Sequence, residues 1–318
     1  MSNILKSFKA AAIQDCPVWL QLAPSVNHAC DLIHEAGENG ADIVAFPESF
    51  LPGFPYWVFN TALSDTASFH RRLYDNAVDI PGPVTQQLGE AAKNAGVVLV
   101  MGVTERDTDT VGTLYNTNLV FNSDGTLLGK HRKTMPTWGE RAVWRGGDSD
   151  MLDVFSTEYG TLGTLCCGEN LNTLARFALL AQGERVHVAN FPSAVLAGAR
   201  HSVNELYLHC APHAYEGKLY SIVASDFGTK EVADELGIPY HEGDDTSYNC
   251  ISGIFGPNGE WVGEPLKNKR GIVYADCPVD PVIGGKLFHD ITGHYNRFDL
   301  LQLKLNKKPQ KPLLIVEE

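Results

Sequence analysis

Short apolar runs alternate with stretches of helical spacing along the first third of the chain, and this alternation limits the possible folds more than any other feature. Strands are predicted at Phe8–Gln14 (FKAAAIQ), at Asp42–Phe46 (DIVAF) and at residues 97–103 (VVLVMGV). Helices are predicted from about Ser25 to Glu38 and over residues 84–95. The order β-α-β-α-β favours an α/β layered fold. The 318 residues are enough for one large domain or two small ones.

Two β-hairpins are predicted further along the chain. The turn NSDG, residues 122–125, lies between LYNTNLVF and TLLGKHRK, and the turn GPNG, residues 256–259, lies between SGIF and EWVGEPL. Both hairpins share the frame Phe-x3-Gly-x3-Gly, which begins at Phe121 in the first and at Phe255 in the second. This echo predicts two similar β-sheet halves, each with helices on its outer face.

The segment Thr161–Asn170 (TLGTLCCGEN) places a thiol where a strand meets a helix. The apolar run TLGTLC reads as a short buried strand, and LNTLARFALLAQG has helical spacing. Because strand side chains alternate, Cys166 is expected to face the core and Cys167 to face out at the strand end. The N–H groups of the helix should favour the Cys167 thiolate, and Gly168 leaves a backbone N–H open to a developing negative charge. A buried structural cysteine pair is the alternative interpretation.

Three chemically different side chains follow predicted strands. Glu48 follows DIVAF, Lys133 follows TLLGKHR, and Cys167 follows TLGTLC. Ligand sites in α/β sheets gather at the carboxyl ends of strands. A carboxylate, an ammonium and a thiol brought together there could supply a base, an oxyanion stabiliser and a nucleophile. Taken singly, however, Glu48 could cap a turn, and Lys133 could belong to a solvated basic face formed by residues 130–133.

Composition excludes several classes of protein. The chain is 44% hydrophobic and 20% charged, as in ordinary globular proteins, and its formal charge of −13 disfavours nucleic acid or an anionic membrane as a partner. No apolar run is long enough for a signal peptide or a membrane span. The seven cysteines are scattered without short paired spacings, which favours reduced thiols and a cytoplasmic location.

The segments around these three side chains carry a family resemblance. FPES around Glu48, HRKTMPTWGER around Lys133 and CCGEN around Cys167 resemble, in this order, the Glu-Lys-Cys triad of the nitrilase superfamily. PGFPYW at 52–57 and GHYNRFD at 293–299 resemble the true nitrilase branch rather than the amidase and carbamoylase branches. The resemblance extends from Phe8 to about Asp299 and implies a four-layer αββα sandwich, with neither a metal nor an organic cofactor.

The resemblance also implies an activity. Cys167 would attack a small-molecule nitrile, and the resulting thioimidate would be hydrolysed through a thioester to the carboxylic acid and ammonia. Glu48 would act as the base, Lys133 and the Gly168 N–H would stabilise anionic species, and Glu140 would be a supporting second carboxylate. Amide hydrolysis by the same triad, or hydration of the nitrile to the amide, is the nearest alternative. A thiol redox protein and a non-catalytic assembly protein are alternatives of other classes.

Pocket residues are predicted less specifically than the triad. The predicted substrate-binding residues are Tyr56, Trp57, Trp144, Asn190 and Phe191. Nitrilases usually carry tryptophan directly after the nucleophile, whereas this chain has Gly168, so unfilled room is expected beside Cys167. His209 and His213 have the spacing of metal ligands, but Pro212 lies between them and no third ligand is evident, so helix-surface or core histidines are the preferred interpretation.

Domain organisation is predicted from the loss of regular pattern after about Asp276. Residues 1–276 are expected to form a single carbon-nitrogen hydrolase domain, and residues 277–318 an extended C-terminal tail at a subunit interface. The resemblance implies homo-oligomers, in which dimers stack into larger spirals or filaments.

Overall fold

Two six-stranded sheets form the centre of the molecule. The computed structural model describes residues 6–148, 151–198, 203–243 and 248–308. Within these ranges the strands are β1 (Phe8–Gln14), β2 (Ile43–Ala45), β3 (Val98–Arg106), β4 (Leu114–Phe121), β5 (Leu127–Arg132), β6 (Phe155–Thr157), β7 (Gly160–Cys166), β8 (Val186–Phe191), β9 (Tyr220–Ser225), β10 (Ile251–Phe255), β11 (Leu266–Lys267) and β12 (Gly271–Cys277). The strand order is β12-β1-β2-β3-β4-β5 in one sheet and β11-β10-β9-β8-β7-β6 in the other.

The two sheets have the same internal plan. In the first, β1, β2 and β3 are parallel, and β4, β5 and β12 are antiparallel to their neighbours. In the second, β7, β8 and β9 are parallel, and β6, β10 and β11 are antiparallel to theirs. The hairpins β4–β5 and β10–β11, which carry the repeated Phe-x3-Gly-x3-Gly frame, therefore occupy equivalent places. The predicted likeness of the two halves is confirmed.

Helices cover the outer face of each sheet. The α-helices of the described ranges are α1 (Leu22–Glu38), α2 (Trp57–Asn60), α3 (Ala67–Asp75), α4 (Pro83–Ala95), α5 (Thr173–Ala181), α6 (Val203–Gly217), α7 (Lys230–Leu236) and α8 (Asp280–Phe288). Apolar residues of α1 and α4 pack on the first sheet, and those of α5 and α6 pack on the second. The predicted four-layer αββα sandwich is confirmed. No helix in the described ranges has both the length and the apolar character needed to cross a bilayer.

Apolar side chains from both sheets meet in one buried layer. Ala10 and Val100 of the first sheet and Val188 and Ile222 of the second belong to the same cluster, and all four side chains are fully buried. Burial of this apolar area supplies the main force that holds the two sheets face to face. The inner faces are therefore dry, and a polar side chain placed on them needs a partner.

The sequence patterns missed two helices. Helix α7 (Lys230–Leu236) lies in a stretch for which no element was predicted, and α8 follows Asp276, where loss of regular pattern was predicted. Helix α8 buries none of its residues and α7 buries only Ala233, so neither has the apolar stripe that marks a helix in sequence. Residues 309–318 of the predicted tail lie outside the described residues.

Gly102 on β3 makes room for the turn that follows β2. A Cβ atom at position 102 would lie 2.2 Å from the carbonyl oxygen of Pro47 and 2.7 Å from the backbone nitrogen of Ser49. Real Cβ atoms do not approach backbone atoms so closely, so only glycine lets the turn cross β3. This turn carries Glu48. The absence of a side chain at position 102 on β3 thus determines where the carboxylate that follows β2 can lie.

Candidate active site

A buried ammonium lies between two buried carboxylates at one edge of the first sheet. Lys133 Nζ donates hydrogen bonds to Glu48 Oε1 and to Glu140 Oε2, each at 2.7 Å. The three side chains are at most 2% exposed. Glu48 comes from the turn after β2, Lys133 directly follows β5, and Glu140 lies on the 3₁₀ helix Trp138–Ala142. The structure therefore brings together three residues that are distant in sequence.

Each residue of the basic run 130–133 has a carboxylate partner. Lys130 Nζ and the Arg132 guanidinium contact Glu105, which is buried on one face of the sheet. His131 and Lys133, which alternate with them, contact carboxylates on the opposite face. A solvated basic face, the alternative interpretation of this run, is therefore wrong.

Asn116 on β4 also contacts Glu48, a contact that the sequence patterns did not reveal. Asn116 Nδ2 donates to Glu48 Oε1 at 2.6 Å, and the backbone carbonyl of Asn116 accepts a hydrogen bond from the backbone nitrogen of Lys133 at 2.8 Å. Asn116 is fully buried. The available signal was an asparagine inside the apolar strand LYNTNLVF, since a polar side chain in a dry sheet requires a partner.

Cys167 begins a 3₁₀ turn with a left-handed backbone. Its φ angle is 46°, and the turn covers Cys167–Leu171, so α5 does not start directly after the strand as the sequence predicted. A separate cap, Asn172, precedes α5 and accepts hydrogen bonds from the backbone nitrogens of Leu174 and Ala175. Asn170 Nδ2 donates to the carbonyl of Cys167 at 3.0 Å and supports the strained turn. As predicted, Cys166 is fully buried, whereas Cys167 is partly exposed.

Glu169 ties the Cys167 turn to the Lys133 segment. Its Oε1 accepts hydrogen bonds from the Thr134 backbone nitrogen at 2.7 Å and from Thr134 Oγ1 at 2.6 Å. Its Oε2 accepts from His131 Nε2 and from the Cys166 backbone nitrogen, both at 2.9 Å. One buried carboxylate thus connects residues on both sides of Lys133 to the residue before Cys167.

The charges at the site determine which groups hold protons. Burial and the charge of Glu140 outweigh the lowering effect of Lys133 and raise the pKa of Glu48 to about 7. Burial opposes the charge of Lys133, but the two carboxylates outweigh it and raise the pKa of Lys133 well above its ordinary value. Burial, and next the Glu48 carboxylate, raise the pKa of Cys167. In the free protein the raised pKa therefore favours the neutral thiol of Cys167 over the predicted thiolate.

The five predicted pocket residues lie in different surroundings. Phe191 belongs to the apolar cluster against which Cys167 packs. Tyr56, Trp57 and Trp144 share a separate aromatic cluster, where Tyr56 Oη donates to Asp226 and accepts from the Ser193 backbone nitrogen. The fully buried Asn190 donates from Nδ2 to Asn118 Oδ1 at 2.6 Å, so that donor is already engaged. Their contact with a substrate stays a prediction.

His209 and His213 do not pair. His209 stacks on Phe191, whereas His213 Nε2 lies 2.7 Å from Glu184 Oε2. Glu184 Oε1 lies 2.7 Å from His187 Nδ1, and His187 Nε2 lies 2.8 Å from Asn170 Oδ1. Potential metal-ligand atoms of Glu184, His187 and His213 fall within 4.8 Å of one another, but imidazole nitrogens already engage both carboxylate oxygens. We therefore describe this group as a buried polar chain that leads to Asn170.

Replacing Glu169 by glutamine tests the connection between the two segments. Burial would raise the pKa of Glu169, but His131 and the hydrogen bonds outweigh it and lower that pKa to about 2. Glu169→Gln should reduce the free energy of unfolding by about 3–5 kcal/mol, because it leaves His131 buried without a counter-charge. Urea unfolding at pH 6 measures this. Glu158→Gln, which breaks an exposed pair with Lys6, is the control and should cost less than about 1 kcal/mol.

The pH dependence of this difference has a defined sign. The lowered pKa of Glu169 stabilises the fold above the ordinary glutamate value and loses its effect as the pH falls towards 2. The pKa of His131 is raised, because Glu169 outweighs its burial, so its contribution is complete below 6.5 and is lost as the pH rises through the higher folded value. The difference between wild type and Glu169→Gln should be largest near pH 5–6.5. An equal difference at all pH values would contradict this assignment.

Comparison with known proteins identifies the family. The carbon-nitrogen hydrolase family model matches residues 9–283. A nitrilase of Bacillus sp. (strain OxB-1) is 34% identical, with 100% of this chain and 93% of the relative covered. An aliphatic nitrilase of Rhodococcus rhodochrous is 33% identical, with 98% of this chain and 86% of the relative covered.

A solved structure supports the same fold. The carbon-nitrogen hydrolase from Helicobacter pylori G27 superposes with a TM-score of 0.69 at 17% identity, covering 89% of this chain and 93% of that one. At this identity the likeness concerns the fold alone, whereas the nitrilase relatives cover nearly the whole chain at about twice that identity. The chain belongs to the nitrilase branch of the carbon-nitrogen hydrolase family.

Proposed function

We propose that this protein hydrolyses a nitrile to the carboxylic acid and ammonia, with Cys167 as the nucleophile. The observation that carries the proposal is the buried Glu48–Lys133–Glu140 group beside a thiol whose pKa is raised by burial and by the Glu48 carboxylate. A neutral thiol needs a base at hand, and the pKa of Glu48, about 7, suits that role near neutral pH. The nitrilase relatives support the substrate class.

In the first step, Cys167 Sγ forms a bond to the nitrile carbon. Glu48 takes the thiol proton and passes it to the nitrile nitrogen, so one π bond of the nitrile is replaced by an S–C and an N–H bond. The product is a thioimidate. Negative charge that develops on the nitrogen faces the Lys133 ammonium and the Gly168 backbone N–H, and such preorganised donors lower the barrier to addition. Glu140 keeps Lys133 charged and fixed.

In the later steps, two waters complete the hydrolysis. Glu48 takes a proton from the first water as its oxygen adds to the thioimidate carbon, and proton transfer to the amino nitrogen lets ammonia leave as the C–N bond breaks. The second water attacks the resulting thioester, the C–S bond breaks, and Cys167 regains its proton. Loss of the thiol instead of ammonia from the first tetrahedral intermediate would release the amide.

The space beside Gly168 bears on this choice of product. Among the described residues outside its own turn, the nearest atom to a Cβ at position 168 would be Thr137 Oγ1, at 3.4 Å. This contact is an ordinary van der Waals distance, so a side chain fits here and its absence leaves room next to the nucleophile. We propose that this room admits bulkier nitriles, while Glu48, Lys133 and Glu140 keep the acid as the main product.

We further propose that the protein is a homo-oligomer in the cytoplasm. The seven cysteines are all free in the structure, which supports a reducing compartment. Large apolar side chains are exposed on α6, on α8 and in the segment after α8, namely Leu208, Tyr215, Ile283, Leu287, Phe288, Leu300 and Leu301. These exposed apolar side chains support an interface between copies, with residues 277–318 contributing to it. Sedimentation velocity should show species larger than a monomer of 34.7 kDa.

Ammonia release from matched nitriles and amides tests the function. We expect wild type to release ammonia from the nitrile and to form the acid, whereas Cys167→Ala should form no product at all. Cys166→Ala is the matched control and should keep most activity, because the Cys166 side chain is fully buried beside the site. Mass spectrometry should find a substrate adduct on Cys167 alone. Turnover by Cys167→Ala would refute the thiol mechanism, and amide-only turnover would favour the amidase alternative.

A tryptophan at position 168 tests the role of the open space. Gly168→Trp should fill the room beside Cys167 and narrow the accepted nitriles to smaller ones without abolishing turnover of the smallest. The acid-to-amide ratio should also change, since about 1.4 kcal/mol of differential stabilisation alters a product ratio tenfold. Product quantification over a size-graded nitrile panel measures both effects, and the melting temperature verifies folding. An unchanged substrate profile and amide fraction would show that position 168 does not shape the pocket.

A further inference from the structure

The two oxygens of Glu48 have different surroundings. Oε1 accepts hydrogen bonds from Lys133 Nζ at 2.7 Å and from Asn116 Nδ2 at 2.6 Å. Oε2 is equally buried but has no hydrogen-bond partner among the residues that the structure describes. A base needs one oxygen with free lone pairs, and a carboxylate held at the other oxygen presents that atom in a fixed direction.

Asn116 is itself held in place by the sheet. It pairs with Thr104 of β3, and its backbone carbonyl accepts a hydrogen bond from the Lys133 backbone nitrogen at 2.8 Å. Thr104 Oγ1 in turn lies 2.8 Å from Ser49 Oγ, in the turn that carries Glu48. The donor to Glu48 therefore lies on a rigid strand that is tied both to the Lys133 segment and to the Glu48 turn.

The other end of the Asn116 amide is a buried acceptor. Within the described ranges, neither Asn116 Oδ1 nor Glu48 Oε2 receives a hydrogen bond. Buried acceptors in folded proteins are nearly always satisfied, so two unsatisfied acceptors on adjacent side chains mark a place that receives a hydrogen-bond donor. A water molecule or the N–H of an imidate has this chemistry.

We propose that Asn116 is a positioning residue for the general base: with Lys133 it holds Glu48 Oε1 and leaves Oε2 as the atom that takes protons. This inference deepens the proposed function. It rests on that function in one respect, namely that the protons taken by Oε2 come from Cys167 and from water. Asn116 acts through Glu48, so its loss should alter the titration of Glu48 as well as the rate.

The groups around Glu48 fix the sign of that effect. Lys133 is the cation beside it, Glu140 a second carboxylate, and Tyr56, Cys166 and Cys167 the protonated groups whose pKa values respond to its charge. Asn116 is a neutral hydrogen-bond donor, and its hydrogen bond favours the ionised form of Glu48. Removal of this donor should raise the pKa of Glu48. As the pH falls, the variant should therefore lose the activity that needs the carboxylate at a higher pH than wild type does.

Asn118 provides a matched control on the same strand. It lies two residues further along β4, faces the same side, and is fully buried like Asn116. Its amide contacts Thr164 Oγ1 at 2.7 Å and Asn190, and none of its hydrogen bonds reaches Glu48. Replacing Asn118 therefore disturbs the inner sheet face as much as replacing Asn116 does, without touching the base.

The experiment compares Asn116→Leu with Asn118→Leu. The first readout is the pH dependence of kcat/KM. The second is the pH dependence of the rate at which iodoacetamide alkylates Cys167, quantified by mass spectrometry. In Asn116→Leu the acid limb of both profiles should move up by about one pH unit. The value of kcat at pH 7 should fall about 10–100-fold, with KM changed far less. Asn118→Leu should leave both limbs in place, whatever it does to stability.

Unmoved limbs in Asn116→Leu, or equal movement in both variants, would overturn the proposal. If Asn116→Leu does not fold, Asn116→Ser, whose shorter side chain cannot reach Glu48 Oε1, replaces it under the same criteria. If wild type turns over neither nitrile nor amide, the proposed function fails, and the alkylation profile still decides the role of Asn116 without any turnover.

Discussion

The charge of Lys133, buried between two carboxylates, is the interaction on which the rest of the structure depends. An ammonium without water is costly unless it is paired, and two carboxylates without a cation repel each other. The three side chains therefore have to be present together, and they come from the turn after β2, the end of β5 and a 3₁₀ helix. The sheet order, the glycine at position 102 and the pairing of β4 with β5 together bring these three side chains into contact.

The duplicated sheet plan divides the chemistry between two halves. The first sheet supplies the charged group and Asn116, and the second supplies Cys167 at the end of β7, which is equivalent to β1 in the other half. Neither half alone would place the proposed nucleophile beside the proposed base. Glu169 closes the gap, because it belongs to the Cys167 turn and accepts hydrogen bonds from the Lys133 segment. The buried Glu169 carboxylate thus joins the two halves by hydrogen bonds, as strand pairing joins the strands within each half.

Local patterns of apolar period, turn residues and strand ends predicted an α/β layered fold and the likeness of the halves, and they singled out Glu48, Lys133 and Cys167. The four-layer αββα arrangement was implied by the family resemblance. The hydrogen-bond partners of Asn116 and Glu169 could not be predicted. These partners lie 68 and 38 residues away in sequence and become neighbours only through strand pairing. The protonation of Cys167 was mispredicted for a related reason. Local N–H groups favour a thiolate, but burial and a carboxylate from another strand outweigh them. Helix α8 was missed because it faces solvent.

The buried polar chain from His213 to Asn170 connects the inner side of α6 to the backbone of Cys167. Helix α6 shows Leu208 and Tyr215 to the outside, while His213 on its inner side contacts Glu184. From there the contacts continue through His187 and Asn170 to the carbonyl of Cys167. Gly163, where a Cβ atom would lie 2.0 Å from Glu184 Oε1, keeps this route open. The left-handed backbone at Cys167 is therefore linked, through buried side chains alone, to the inner side of the helix whose outer side exposes Leu208 and Tyr215.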